Sequence, residues 1–204
     1  RKNFKNYRVW DDNPSRRIFN ETQVGETDLE KEKIFSKYLD LCDYIILSPG
    51  VSLKTARLKK KLIENRGKII TDLDLLYLSD KNIKTIVVTG TNGKSTTCKI
   101  LEHVLRKKNI NVSLGGNIGK PVLDLNLKNK PVVIIEASSF QLSYSQYIKP
   151  DYAIILNITK DHLDWHSSYK NYIDSKFKIF SKQKRNNYAF INNNFLLKKF
   201  KKEK

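Results

Sequence analysis

The chain has 204 residues, 39% hydrophobic and 29% charged, enough for one good core or two small ones. Its longest apolar runs, such as Ile86 to Val88 and Val132 to Ile135, fall far short of the roughly 20 residues that cross a bilayer. The basic first residues lack the apolar stretch of a secretory signal, so a cytoplasmic protein with no membrane partner is expected. The formal charge of +18 invites a nucleic-acid reading, but the lysines are spread through nearly every segment among Asn and Ile, as AT-rich coding would spread them. No nucleic-acid partner is expected.

In chain order, Val9 and Trp10 read as the end of a strand before the turn DDNPS. Leu29 to Leu41 has helical spacing, and YIILSPG from Tyr44 reads as a buried strand entering the Pro49-Gly50 turn. Lys54 to Asn65 reads as a basic amphipathic helix closed near Gly67, and KIITDLDLLYL from Lys68 as a short strand and a helix. The polar string SDKNIK, from Ser79, marks a boundary between two halves.

From there the pattern sharpens. TIVVTG is a strand, Ser95 to about Lys108 a helix, and NVSLGG, PVVIIEAS and YAIILNIT are strands. A helix from Tyr169 to Phe180 and a strand YAFINN follow. Buried strands alternating with helices imply an α/β fold with a largely parallel sheet covered on both faces. Cys42 and Cys98 have no metal-ligand spacing and are expected to be reduced packing residues. The tail from Lys198 to Lys204 reads as disordered.

Of the eight glycines, Gly90, Gly93, Gly115, Gly116 and Gly119 fall within thirty residues, where the backbone must approach something closely. The run GTNGKST, Gly90 to Thr96, lies between a buried strand and an amphipathic helix, the context of a phosphate-binding loop. There Gly90 and Gly93 let backbone N–H groups face inward, and the helix start adds its dipole. Lys94 neutralises phosphates and Ser95 offers a hydroxyl to Mg2+. The longer phosphate-loop pattern would place glycine at position 88, where this chain has Val88. Glu136 stands at the carboxyl end of a strand, the edge where doubly wound sheets bind ligands, and suits Mg2+; His162 follows the next strand. Alternatively Glu136 caps a turn and His162 is a surface histidine. Read without a relative, Lys176 is one more exposed lysine, and His103 and His166 carry no assignment beyond a helix face for His103.

TGTNGKST resembles the shorter loop of the Mur ligases and the related folylpolyglutamate synthases. GGNIGKP (Gly115 to Pro121), EASSFQL (Glu136 to Leu142) and NITKDHLDWH (Asn157 to His166), followed by Lys176, are similar in order and spacing to the Mur ligase central domain. That resemblance spans Trp10 to Asn194 and is strongest from Thr85 to Phe180. It implies a partial Rossmann-like N-terminal domain over residues 1–82, which would bind a uridine diphosphate. A truncated ATP-binding central domain would occupy residues 83–204, with the C-terminal ligase domain outside the chain.

SSFQL and GGNIG look like the branch that adds D-glutamate to UDP-N-acetylmuramoyl-L-alanine through an acyl phosphate in peptidoglycan precursor synthesis, acting as a monomer. Another Mur ligase, a folylpolyglutamate synthase-like ligase, or a nucleotide-binding fragment without activity of its own are the alternatives. By resemblance Gly90, Thr91, Asn92, Gly93, Lys94, Ser95 and Thr96 bind ATP, and Lys94, Glu136, His162 and Lys176 are catalytic. Ser95, Glu136, His162 and a carbamylated Lys176 hold Mg2+. Asp11, Asp12, Ser48, Asn117 and Ser138 face the nucleotide-sugar substrate.

Overall fold

The computed structural model describes residues 7–17, 27–79 and 82–192. The basic tail and the last residue of the expected YAFINN strand, Asn193, lie outside them. The chain divides into two compact units, Arg1–Ile69 and Ile70–Lys204.

In the first unit, Thr27 caps α1 (Asp28–Leu41) through a reciprocal box with Glu30, which satisfies two backbone donors at the helix start. Two short strands, β1 (Ile45–Ile46) and β2 (Ile69–Ile70), flank α2 (Lys59–Glu64). The helix expected from Lys54 begins only at Lys59. The Ser52 hydroxyl accepts the Lys54 N–H at 3.3 Å, and the chain turns there instead, a local bond that competes with helix. Val9 and Trp10 belong to no strand of two or more residues; Trp10 packs against Phe35 at 5.4 Å and under the Arg17 guanidinium at 4.0 Å. Phe35, Leu39, Ile45, Leu47, Leu58 and Leu62 are buried.

The second unit opens with α3 (Asp72–Ser79), whose Leu73, Leu76 and Tyr77 join its main core. Apolar on several sides, α3 is buried nearly all round, which is why compaction begins at Ile70 rather than at the polar string near residue 82. Then follow β3 (Lys84–Thr89), α4 (Lys94–Lys107), β4 (Val112–Gly116), β5 (Val132–Glu136), α5 (Ser139–Tyr144), β6 (Tyr152–Ile155), α6 (Leu163–His166), α7 (Tyr169–Phe177) and β7 (Tyr188–Ile191). The strands form one parallel sheet in the order β4-β5-β3-β6-β7.

Both faces are covered, as a parallel sheet requires. Ile86, Val88 and Ile134 pack with Cys98 of α4 on one face. Val87, Val133, Ile135, Ala153 and Ile155 pack with Leu73, Leu76, Ile173 and Phe177 on the other. The Cys98 thiol is fully buried, and that burial pushes its pKa up to about 12, in keeping with a packing role. The short helices α5 and α6 have no counterpart in the sequence reading. The helix expected to run to Phe180 ends at Phe177 and tightens into a 3-10 turn over Lys178–Phe180.

Candidate functional site

The sheet register builds the site. Val88 on β3 and Gly116 on β4 both lie opposite Glu136 on β5, so β4 and β5 end level at the carboxyl edge and β3 ends one residue beyond them. Gly116 is required there: its φ is +113°, and a Cβ would stand 2.3 Å from the Glu136 carbonyl oxygen. Gly93, with φ +79°, turns the chain from the loop into α4. No side chain caps α4, so its first N–H groups stay available to an anion.

The loop is held from the side by the segment after β6. Asn92 N–H donates to the Asn157 side-chain oxygen at 3.0 Å, and Asn157 Nδ2 donates back to the Asn92 carbonyl at 3.0 Å. Thr91 Oγ1 accepts the Thr159 N–H at 3.0 Å and lies 3.0 Å from the Tyr172 hydroxyl on α7. Tyr172 is 1% exposed.

Glu136, 2% exposed, accepts from Ser95 Oγ at 2.7 Å and from Asn117 Nδ2 at 3.1 Å. It caps no turn. Ser95 and Glu136 thus set two hard oxygen donors side by side, suited to one divalent cation together with water and phosphate oxygens. Among the described residues no group of three His, Cys, Asp or Glu side chains could hold a metal on its own. A cation here therefore needs oxygens from a ligand or from a modified side chain.

Lys176 is the largest departure from a plain reading of the sequence. Far from exposed, it is 2% accessible and donates to the Gly90 carbonyl at 2.9 Å. Burial and then the neighbouring Lys94 ammonium lower its pKa to about 7, against a smaller opposing effect of Asp161. Near neutral pH a large fraction of Lys176 is free amine, the form able to attack carbon dioxide. Lys94 Nζ reaches the Gly90 and Thr91 carbonyls at 3.0 and 2.8 Å.

A cavity of about 110 Å³ is lined by Gly90, Thr91, Lys94, Asn117, Ser138 and His162, with Lys176 at its wall. The His162 ring is exposed, 4.7 Å from that of Phe140, with Nε2 3.4 Å from Asp161. A larger cleft of about 410 Å³, lined by α4, β4 and the segment after β4, contains none of the expected site residues. Asn92, Gly93, Ser95 and Thr96 of the loop, and Glu136 bonded to Ser95, do not line the smaller cavity. Asp11, Asp12 and Ser48 lie in the first unit: Asp11 accepts the Asn13 N–H at 2.8 Å, and Ser48 is exposed at a turn closed by Val51.

Four lining residues escaped the sequence reading: Ser139, Phe140, Asp161 and Tyr172. Tyr172 was detectable, since it precedes Lys176 by one helical turn and therefore shares its face. His166, given no role, is buried, with Nε2 3.0 Å from the Ser139 hydroxyl.

Residues 88–204 match the Mur ligase middle domain. A relative from Rickettsia prowazekii, UDP-N-acetylmuramoylalanine--D-glutamate ligase, is 41% identical over 77% of this chain and 35% of its own length. One of the same name from Elusimicrobium minutum is 40% identical over 77% of this chain and 36% of its own. The chain spans about a third of the length of these curated relatives. Among solved structures, the UDP-N-acetylmuramate:L-alanyl-gamma-D-glutamyl-meso-diaminopimelate ligase from Neisseria meningitides is 18% identical, with a TM-score of 0.55. It covers 83% of this chain and 58% of that one. A MurF ligase from Thermotoga maritima in complex with ADP is 19% identical with a TM-score of 0.50, over 79% of this chain and 46% of that one. With the parallel sheet, the glycine loop and a middle-domain match over more than half its residues, the chain belongs to the Mur ligase family.

Proposed function

We propose that this chain carries the ATP-binding part of a ligase that joins D-glutamate to UDP-N-acetylmuramoyl-L-alanine. The reading rests on one observation above all: Lys94, the Ser95–Glu136 pair and Lys176 converge on the Gly90 loop at the carboxyl edge of the sheet. The relatives' names supply the acceptor and the amino acid.

In this reading ATP lays its phosphates on the N-terminus of α4, where Lys94 exchanges its backbone carbonyl partners for phosphate oxygens. The alanyl carboxylate attacks the γ-phosphorus and ADP leaves. The D-glutamate amine then attacks the acyl phosphate, forming the amide and releasing phosphate and a proton. The residues present fit Mg2+, since Ser95 and Glu136 offer adjacent oxygens and phosphates would complete the shell. Bound there, Mg2+ would neutralise charge on the phosphates.

His162 and Lys176 line the cavity beside Lys94. As an ammonium, Lys176 would repel a second cation. As a free amine its nitrogen bonds to the carbon of carbon dioxide and loses a proton, leaving a carbamate anion beside His162 that fits a cation. No side-chain nucleophile takes part in the two ligation steps, in which the chain's residues position groups and balance charge.

The test is phosphate release from ATP with Mg2+, UDP-N-acetylmuramoyl-L-alanine and D-glutamate. It is run on these 204 residues and on a form extended at both ends. Turnover by the extended form supports the reading. Turnover with a different acceptor only, or ATP binding without turnover in both forms, overturns it.

A further inference from the structure

We propose that Asp72, on α3, is a positioning residue for the acceptor side of this cavity. Through Gln141 it fixes Ser138 so that the serine hydroxyl meets a ligand as a hydrogen-bond acceptor only. The inference rests on the functional reading above for the identity of that ligand.

Both Asp72 carboxylate oxygens accept from Gln141 Nε2, each at 3.1 Å. An ionised carboxylate offers no proton, so it selects the nitrogen end of the amide and turns the oxygen end away. That oxygen, Gln141 Oε1, accepts from the Ser138 N–H at 3.1 Å and from the Ser138 hydroxyl at 3.1 Å. The reverse orientation would set carbonyl oxygen against carboxylate at one end and NH2 against N–H at the other. Gln141 is buried, so a mismatched end would have no water to turn to.

The hydrogen-bonding capacity of Ser138 follows by counting. Its hydroxyl has one proton and two lone pairs. The proton is committed to Gln141 Oε1, and one lone pair accepts the Gln141 N–H at 3.2 Å. Ser138 lines the cavity, and what it has left for an occupant is one lone pair. The complementary group is therefore an N–H or O–H, such as an amide of a peptidyl sugar, and a phosphate oxygen is rejected.

Asp72 can be altered without releasing α3. Two residues along, Asp74 accepts from Ser145 Oγ at 2.6 Å and from the N–H groups of Gln146 and Tyr147 at 3.0 and 2.7 Å, holding the far end of α5 to α3.

The experiment compares the 204-residue chain with Asp72→Leu and Asp72→Asn. Each is titrated with UDP-N-acetylmuramoyl-L-alanine and, separately, with ATP and Mg2+, and the Gln141 side-chain amide is followed by NMR. Asp72→Leu is expected to weaken the nucleotide-sugar about tenfold and ATP less than twofold, as loss of one positioning bond would. It should also shift the Gln141 amide signals. Asp72→Asn, whose side-chain oxygen still accepts from Gln141, should restore both affinity and spectrum. Unmoved Gln141 signals in Asp72→Leu, or equal weakening of both ligands, would overturn the proposal. If the unaltered chain does not bind the nucleotide-sugar, the Gln141 signals alone decide for or against Asp72, while the functional reading stands or falls on turnover by the extended form.

Discussion

Lys94 and Lys176 point their ammonium nitrogens at one acceptor, the carbonyl oxygen of Gly90, at 3.0 and 2.9 Å. Two cations sharing one oxygen repel each other, and the buried one yields its proton more readily. Lys94→Met is therefore expected to raise the Lys176 pKa above about 7, measured by 15N NMR of the side-chain nitrogen against pH. An unchanged value would mean that burial alone sets it.

The same lysine shapes stability against pH. Its folded pKa, about 7, lies below the ordinary 10.5, so between these values the unfolded chain binds more protons than the folded one. Stability then rises with pH across that window, and the penalty for a buried charge is complete below it. Lys176→Met removes the penalty. In urea titrations its advantage over the unaltered chain should be largest near pH 6 and shrink towards pH 10.

Lys94→Ala is expected to weaken ATP roughly 100-fold in calorimetric titration, the loss of charge-assisted bonds to phosphate. The fold should persist, because Lys94 is only half-buried and its present partners are loop carbonyls.

Ser95→Ala and Glu136→Gln should each remove the Mg2+-dependent part of ATP affinity. Because the two oxygens stand 2.7 Å apart, the double variant should lose little more than either single one. Additive losses would show that the two side chains act independently.

Gly116→Ala should destabilise the second unit by about 3 kcal/mol, combining a strained φ with a Cβ driven into the Glu136 backbone. Thermal unfolding would register the loss, and Glu136 would be displaced with it.

The strand-loop-helix order around Gly90, the parallel sheet and the position of Glu136 at a strand end were legible because apolar runs and glycines mark them directly, whereas β6 stops at Ile155 and His162 stands at the start of α6. What stayed hidden depended on distant partners. Nothing local to Lys176 announces burial; the cavity it enters is walled by the Gly90 loop and by the segments that follow β4, β5 and β6. The short helices α5 and α6 carry too few residues to show a period, and α5 starts where Ser138 and Gln141 bond reciprocally. The compact-unit division at Ile70 was hidden because the polar string near residue 82 is a stronger local signal than the packing of α3.

The paired amides of Asn92 and Asn157 join residues sixty-five positions apart, and Thr91 bonds to Tyr172 across eighty-one. The shape of the glycine loop is thus only partly encoded in its own segment. A peptide excised around β3 and α4 would lack the walls that hold those amide hydrogens in place. During folding the cradle closes only after β6 and α7 have docked, so the loop acquires its binding geometry late, once the costly long-range closures have been made.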